Sequence, residues 1–202
     1  MEPIGISVDE LFTAIGKTPP YLEYIKWKEM ENRKIVLNEP IDGFAVDTVI
    51  MPILRWNEED DSAFGDDISK RKPITIYLDS PGGDVFVGLI IAEVIKKSKT
   101  PVHIIALSMA ASMGSVILVS GHVRYAYKYT NVLIHDGDVG LKGSRNKVKD
   151  NMKFFEEKDA QVKDFILSNT KITEEKFEEM TDREWWMTAE TALEFGIIDA
   201  IL

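Results

Sequence analysis

The chain has 202 residues, of which 45% are hydrophobic and 29% are charged, a composition typical of one soluble globular domain with a real core. Its formal net charge of −10 argues against nucleic acid as a partner, and the lack of cysteine excludes disulfides, thiol nucleophiles and thiolate metal sites. There is no apolar run near the ~20 residues that span a bilayer and no signal-peptide pattern, so we expect a cytoplasmic protein. We also expect no metal and no other cofactor.

The first 32 residues predict an N-terminal arm. Ser7 and Glu10 have the spacing of a capping box, which predicts a short helix that ends at Gly16. Residues 21–31 mix aromatic with charged side chains. They predict either an arm that docks on a neighbour or a frayed start of the chain.

Residues 34–38 predict a short strand, and residues 45–56 predict an amphipathic helix that Pro52 is expected to kink. The next segment, residues 57–72, carries six acids and ends in three consecutive basic residues. Because clustered charge usually marks an exposed surface, we expect a solvated loop here, and a candidate for disorder rather than a metal site.

Strands and helices then alternate. Residues 85–97 have apolar side chains at helical spacing, and short apolar runs predict strands at 74–78, 101–107, 123–127 and 131–135. This order predicts an α/β fold with a mostly parallel sheet and right-handed crossovers. Functional sites in such folds gather at the carboxyl ends of strands, where the Gly82-Gly83 turn, Ser112 and His135 all fall.

Ser112 is the candidate nucleophile. It lies in a run of small and apolar residues, 108–118, where a strand gives way to a predicted buried helix. Free backbone N–H groups and the positive end of the helix dipole favour an alkoxide and an oxyanion there. Ala110-Ala-Ser-Met-Gly114 also approximates the Gly-x-Ser-x-Gly elbow. The alternative interpretation is a small-residue face for close helix packing.

His135 is the candidate general base. The chain has three histidines. His103 falls inside a predicted strand and His122 in a turn, whereas His135 ends a strand beside the expected position of Ser112. Serine acyl transfer needs a base at this place.

Acyl transfer also needs N–H donors for the oxyanion. The Pro81-Gly82-Gly83 turn allows backbone to approach a substrate, and its N–H can point at a carbonyl oxygen. Met113 supplies the natural second donor, because it directly follows the nucleophile.

The C-terminal part begins with glycines 137, 140 and 143, which suggest an extended, flexible segment. Residues 145–170 predict a helix of about seven turns. So long a helix should project from a domain of this size, and projecting helices most often meet another subunit. The remaining predicted elements are a helix at 171–180, a strand at 185–187, a helix at 188–194 and a strand at 197–202.

Four stretches together resemble the ClpP peptidase family: Ser80-Pro-Gly-Gly83, Met109-Ala-Ala-Ser-Met-Gly114, Val132-Leu-Ile-His135 and Ala189 to Asp199. The resemblance covers residues 33–202 and implies a ClpP/crotonase-type α/β fold, a spiral of repeated β–β–α units with a projecting handle at 136–170. It also implies a serine endopeptidase that cleaves peptides or unfolded proteins inside a homo-oligomeric chamber. The subunits would form heptamers, usually stacked as tetradecamers.

The resemblance also assigns roles by position: Ser112 as nucleophile, His135 as base, Gly83 and Met113 as oxyanion donors. The family's triad aspartate aligns with Glu184, at the end of the stretch Thr181-Asp-Arg-Glu184. Glutamate can orient a histidine, as Ser-His-Glu triads show. Asp182 is the alternative, although together with Arg183 it matches the family's ring–ring contact.

Departures from the family motivate two other hypotheses. Asp136 replaces the family's Gln-Pro after the base, where a carboxylate would reshape the substrate groove. Together with Glu184, it suggests a catalytically weak or inactive subunit with a regulatory or structural role. A crotonase-type acyl-CoA enzyme is the other alternative, although no acid pair is placed for hydratase chemistry. Residues 1–32 do not resemble the family's axial loop, which argues against the usual AAA+ unfoldase as partner.

Overall fold

The computed structural model describes residues 7–16, 20–137 and 140–202, and within them the chain folds around a seven-stranded sheet. The strands are β1 (Lys34–Leu37), β2 (Ile74–Ser80), β3 (Val102–Ala111), β4 (Val123–Ala126), β5 (Asn131–Ile134), β6 (Trp185–Thr188) and β7 (Ala200–Ile201). Five strands run parallel in the order β1-β2-β3-β4-β7. The predicted α/β fold with a mostly parallel sheet is confirmed.

Strand β3 changes partner along its length, and this change positions the site. Residues 103–106 pair with β4, whereas residues 109–111 pair with β5, which runs parallel to β3 and antiparallel to β6. The β5–β6 pair therefore branches off the main sheet. It brings the ends of β3 and β5 together at one edge.

The helices in the described ranges are α1 (Val8–Ile15), α2 (Tyr21–Glu31), α3 (Met51–Phe64), α4 (Val85–Lys97), α5 (Met113–Ser120), α6 (Arg145–Asn169), α7 (Glu174–Glu179) and α8 (Ala189–Glu194). All eight residues of α5 are buried, and the helix packs between α4 and the sheet. Of these helices, none is both long enough and apolar enough to cross a membrane.

The N-terminal helices pack on each other. The capping box of Ser7 and Glu10 is confirmed, and Gly16 ends α1 in the left-handed conformation with φ 63°. The rings of Phe12 and Trp27 stack with centroids 4.8 Å apart. Residues 21–31 thus form a regular helix, yet neither α1 nor α2 has a fully buried residue.

The predicted loop at 57–72 is wrong up to Phe64, where α3 ends, whereas the predicted exposure holds for residues 61–70. Asp60 is only 1% exposed. Arg33 donates two hydrogen bonds to its carboxylate, at 2.7 and 2.8 Å, and the Thr100 hydroxyl donates a third at 2.6 Å. These partners neutralise and satisfy the acid, so the helix can bury it.

Arg71 lies near the C-terminal end of the same segment, residues 57–72. Its side chain is fully buried and donates to the Asp61 carboxylate and to the Gly65 carbonyl oxygen. Ion pairs therefore hold the segment near both ends, while residues 61–70 between them are exposed. Pro52 lies in the first turn of α3, directly after a π-helical turn at Val46–Ile50.

The C-terminal elements follow the predicted order with shorter bounds for α7 and β7. The long helix α6 is confirmed, with 25 residues of which only Ile166 is buried. It spans roughly 37 Å at 1.5 Å per residue. The glycine segment before it lies partly outside the described residues.

Candidate active site

Ser112 stands at a sharp turn between β3 and α5. Its backbone has φ 54° and ψ −125°, a conformation that side-chain-bearing residues rarely adopt. The Ser112 N–H donates to the Leu133 carbonyl at 2.9 Å, and the buried helix α5 follows at once. Surrounding structure therefore holds the strain, as in the strand–turn–helix elbow of serine hydrolases.

The Gly82-Gly83 turn lies directly against this elbow. A Cβ on Gly82 would sit 2.5 Å from the Cβ of Ser112, and a Cβ on Gly83 would sit 2.2 Å from the carbonyl oxygen of Ile41. Both glycines also have positive φ, at 98° and 148°. Only glycine allows backbone this close to the serine.

Two backbone N–H groups remain free beside Ser112. Those of Gly83 and Met113 make no hydrogen bond within the described ranges. Met113 is the first residue of α5, where helical geometry leaves the N–H without an intrahelical acceptor. Free N–H groups at a helix N-terminus are suited to a developing oxyanion.

His135 and Glu184 face each other because of strand pairing. His135 directly follows β5 and Glu184 directly precedes β6. The two strands are antiparallel, with Ile134 opposite Trp185. This register places the Glu184 Oε1 atom 3.3 Å from the His135 Nδ1 atom.

Asp182, the alternative orienting group, is placed differently. Its N–H donates to the Asp136 carboxylate at 2.6 Å, and its own backbone has φ 58°. Among the residues that the structure describes, Glu184 is the one acid in ion-pair contact with His135. Asp182 and Arg183 lie exposed in the turn after α7.

Gly83, Ser112, Met113 and His135 line a single cavity of about 860 Å³. That volume is enough for several residues of an extended peptide. The Ser112 hydroxyl has no hydrogen bond to His135 or to another described residue. Ser112 and His135 thus share a cavity without the hydrogen bond that proton transfer between them would need.

The sequence matches the Clp protease family model over residues 23–202. The chain belongs to the Clp protease family. It is 29% identical over 177 residues to the ATP-dependent Clp protease proteolytic subunit 2 of Treponema pallidum, a match that covers 87% of this chain and 84% of that protein. The resemblance stated from four short motifs is confirmed.

Two further relatives agree. The chain is 30% identical over 174 residues to the ATP-dependent Clp protease proteolytic subunit 2 of Tropheryma whipplei, which covers 85% of this chain and 92% of the relative. It is 31% identical over 175 residues to the ATP-dependent Clp protease proteolytic subunit of Bacteroides fragilis, a match that covers 86% of this chain and 80% of that protein. Clp family membership supports a peptidase, which is a hydrolase.

The resemblance implied that the handle helix flanks the substrate groove, but it did not name the α6 residues that line this Clp-family cavity. Phe155, Asp159, Val162 and Ile166 lie on one face of the helix and line the cavity. Their spacing of three and four residues is the signal that could have revealed this face. The described residues include no group of three or more potential metal ligands.

Proposed function

We propose that this chain is a serine endopeptidase subunit that hydrolyses peptides and unfolded proteins. The observation that carries the proposal is the strained Ser112 elbow at the N-terminus of a buried helix, in one cavity with His135. The 3.3 Å contact between His135 and Glu184 supports it further, because a base needs an orienting group.

In the proposed mechanism, Ser112 Oγ attacks the peptide carbonyl carbon while His135 Nε2 takes the hydroxyl proton. The Gly83 and Met113 N–H groups donate hydrogen bonds to the tetrahedral oxyanion. His135 then protonates the leaving amine, and the acyl-enzyme forms. Water attacks this ester by the same route and releases the acid.

Glu184 has the role of an orienting group. Its carboxylate would accept a hydrogen bond from Nδ1–H of His135, which leaves Nε2 free to take the proton from Ser112. The negative charge would also stabilise the imidazolium that forms during attack. Glutamate can take the place of the family's aspartate because the β5–β6 register brings its backbone alongside the histidine.

We also propose that the working form is a homo-oligomeric ring of seven subunits or a pair of rings, as is usual in the family. The support is α6, whose 25 residues include one buried side chain, while Met152 and Phe154 are exposed apolar groups. Asp182 and Arg183, exposed after α7, are the proposed ring–ring contact. A cytoplasmic location stays a prediction.

The relatives' names describe ATP-dependent proteases, but the function proposed for this chain does not include ATP dependence. The family match begins at residue 23, so α1 lies outside it. The proposal covers peptides and unfolded proteins that enter unaided.

Labelling with a fluorophosphonate probe tests the nucleophile. We expect wild-type protein to be labelled and Ser112→Ala to be unlabelled. Ser108→Ala is the control, because Ser108 is an exposed serine near the end of the same strand. Labelling that persists in Ser112→Ala would refute the assignment.

A second candidate is an inactive or gated subunit. The missing hydrogen bond between Ser112 and His135 favours it, because the single chain does not present an assembled triad. This hypothesis predicts oligomers without turnover. Robust hydrolysis of a short fluorogenic peptide excludes it.

A further inference from the structure

The cavity beside Ser112 is strongly acidic. Its described lining holds five carboxylates and one lysine: Asp84, Asp136, Asp159, Glu178, Asp182 and Lys163. None of these carboxylates belongs to the proposed triad. The excess of negative charge should influence the charge of the substrate that the cavity accepts.

The single lysine does not compensate the aspartates. Lys163 Nζ lies 3.0 Å from Glu174 and 2.6 Å from Glu178, so two glutamates share its charge. In the described ranges, Asp136 and Asp159 have no lysine or arginine within ion-pair distance. Their negative charges therefore remain available to a ligand.

A contact from the turn after α7 holds Asp136 in place. The Asp182 N–H donates to its carboxylate at 2.6 Å. Asp136 directly follows His135, and both line the cavity. A fixed carboxylate therefore stands next to the proposed base, where substrate must pass.

Asp159 approaches from the opposite element, α6. Burial raises the pKa of this carboxyl, and the negative charges of Asp136 and Glu156 raise it further. Like charges held together disfavour ionisation, and a cation placed between them relieves the repulsion. The arrangement therefore favours a positively charged ligand.

Two aromatic side chains also line this cavity. Phe86 and Phe155 both line it, with ring centroids 6.2 Å apart. Lysine and arginine carry long apolar stems that pack on such rings while the charged head reaches a carboxylate. The cavity thus offers surfaces for both parts of a basic side chain.

We propose that the cavity selects peptides with a lysine or arginine side chain, bound between Asp136 and Asp159 with its stem against Phe86 and Phe155. This inference rests on the proposed function, because it names the substrate class of the same site. It predicts a preference for basic peptides over uncharged peptides of equal shape.

The test measures binding to the Ser112→Ala protein, so that hydrolysis is not required. Two short fluorescein-labelled peptides differ in one residue, arginine or citrulline, which has nearly the same shape without charge. We expect fluorescence anisotropy to give about threefold to tenfold tighter binding of the arginine peptide, the range of a partly screened ion pair. Added salt should reduce the difference.

Asp159→Asn, made in the Ser112→Ala background, should bring the two affinities together. Asp164→Asn is the matched control, because Asp164 is, like Asp159, an exposed aspartate of the same helix but does not line the cavity. It should leave the ratio unchanged. Equal affinities before mutation, undetectable binding of the arginine peptide, or a ratio insensitive to Asp159→Asn would overturn the proposal.

Failure of the proposed function gives a different result. In that case wild-type protein is neither labelled by fluorophosphonate at Ser112 nor able to cleave peptides, whatever the binding ratio. A labelled, active enzyme with equal affinities overturns only the charge selection.

Discussion

The two sides of the cleft are held in different ways. On the Ser112 side, this residue lies between β3 and a helix whose eight residues are all buried. On the His135 side, the Glu184 side chain is 62% exposed, and α6 buries only Ile166. One side belongs to the core, and the other to the surface.

The difference indicates where assembly can act. The chain's own core determines the elbow and the two free N–H groups, whatever surrounds the molecule. The pairing of buried β5 with β3 positions His135, whereas the orientation of its side chain depends on Glu184, whose side chain is exposed. This agrees with the absence of a Ser112–His135 hydrogen bond in the single chain.

The largest effect is expected on the exposed side. Glu184→Ala should lower kcat for a fluorogenic peptide by about 10²- to 10⁴-fold, because His135 loses its orienting carboxylate, by analogy with loss of a triad aspartate's charge. Fluorophosphonate labelling should slow in parallel, across pH values from roughly 6 to 9 that bracket a histidine's usual pKa.

Asp182→Asn is the comparison for that experiment. We expect a much smaller loss, because the Asp182 contact in the site is its backbone N–H to Asp136. If labelling is indifferent to Glu184→Ala but lost in Asp182→Asn, the orienting role moves to Asp182.

On the Ser112 side, a substitution at Gly83 should disrupt the glycine turn. Gly83→Ala would place a Cβ 2.2 Å from the Ile41 carbonyl oxygen at φ 148°, so the turn must shift and take its N–H donor away. We expect kcat to fall by about 10²- to 10³-fold, the usual effect of losing one oxyanion donor. Gly43→Ala is the matched control, since a Cβ there meets nothing within 4 Å. Wild-type turnover in Gly83→Ala would contradict the assignment.

Asp60 is a buried charge outside the site, so its substitution should change stability without changing activity. Asp60→Asn should lower the free energy of unfolding by about 3 kcal/mol, because it removes the charge that compensates the largely buried Arg33. Urea denaturation measures the loss, and turnover of the folded protein should not change. Glu58→Gln, exposed on the same helix, should change stability by less than about 0.5 kcal/mol.

The same pair predicts a pH dependence. Burial opposes ionisation of Asp60, but the hydrogen bonds from Arg33 and Thr100 outweigh it and lower the pKa of the carboxyl. Because the folded-state pKa is below the unfolded value, this contribution is present above pH ~4 and is lost as the pH falls through the folded-state pKa. Asp60→Asn should therefore lose less stability than wild type on acidification, and an equal loss would contradict the pairing.

The smallest effect is expected on the exposed part of α6. Phe154→Ala should cost less than about 1 kcal/mol of unfolding free energy, because this side chain is 45% exposed. Ile166→Ala is the reference, and should cost about 2 to 5 kcal/mol because Ile166 is 1% exposed in the core. Similar losses in the two variants, measured by urea denaturation, would show that the distal part of α6 is held as firmly as its buried end.

Local patterns were sufficient for most elements. The capping box at Ser7, the helical period of residues 145–169 and the alternation of strands with helices are signals that neighbouring residues carry. The four family motifs are local as well. Family and fold class could therefore be predicted from the sequence.

The acidic segment shows where local reasoning fails. Six acids in sixteen residues predict exposure, yet Asp60 is buried. Its partners, Arg33 and Thr100, lie 27 and 40 residues away along the chain. A charge can be buried only when its compensating groups are known, and a window of sequence does not contain them.

The sequence by itself determined which residue types stand at the strand ends: Gly83, Ser112 and His135, together with two acids, Asp182 and Glu184, in a single turn. Only the tertiary structure decided the geometry by which Glu184, the acid that the family pattern favours, meets His135. The antiparallel register of β5 and β6 aligns Ile134 with Trp185, and so brings Glu184 beside the histidine. Register between strands about 50 residues apart is set by side-chain burial and hydrogen bonds across the whole sheet, which no local pattern encodes.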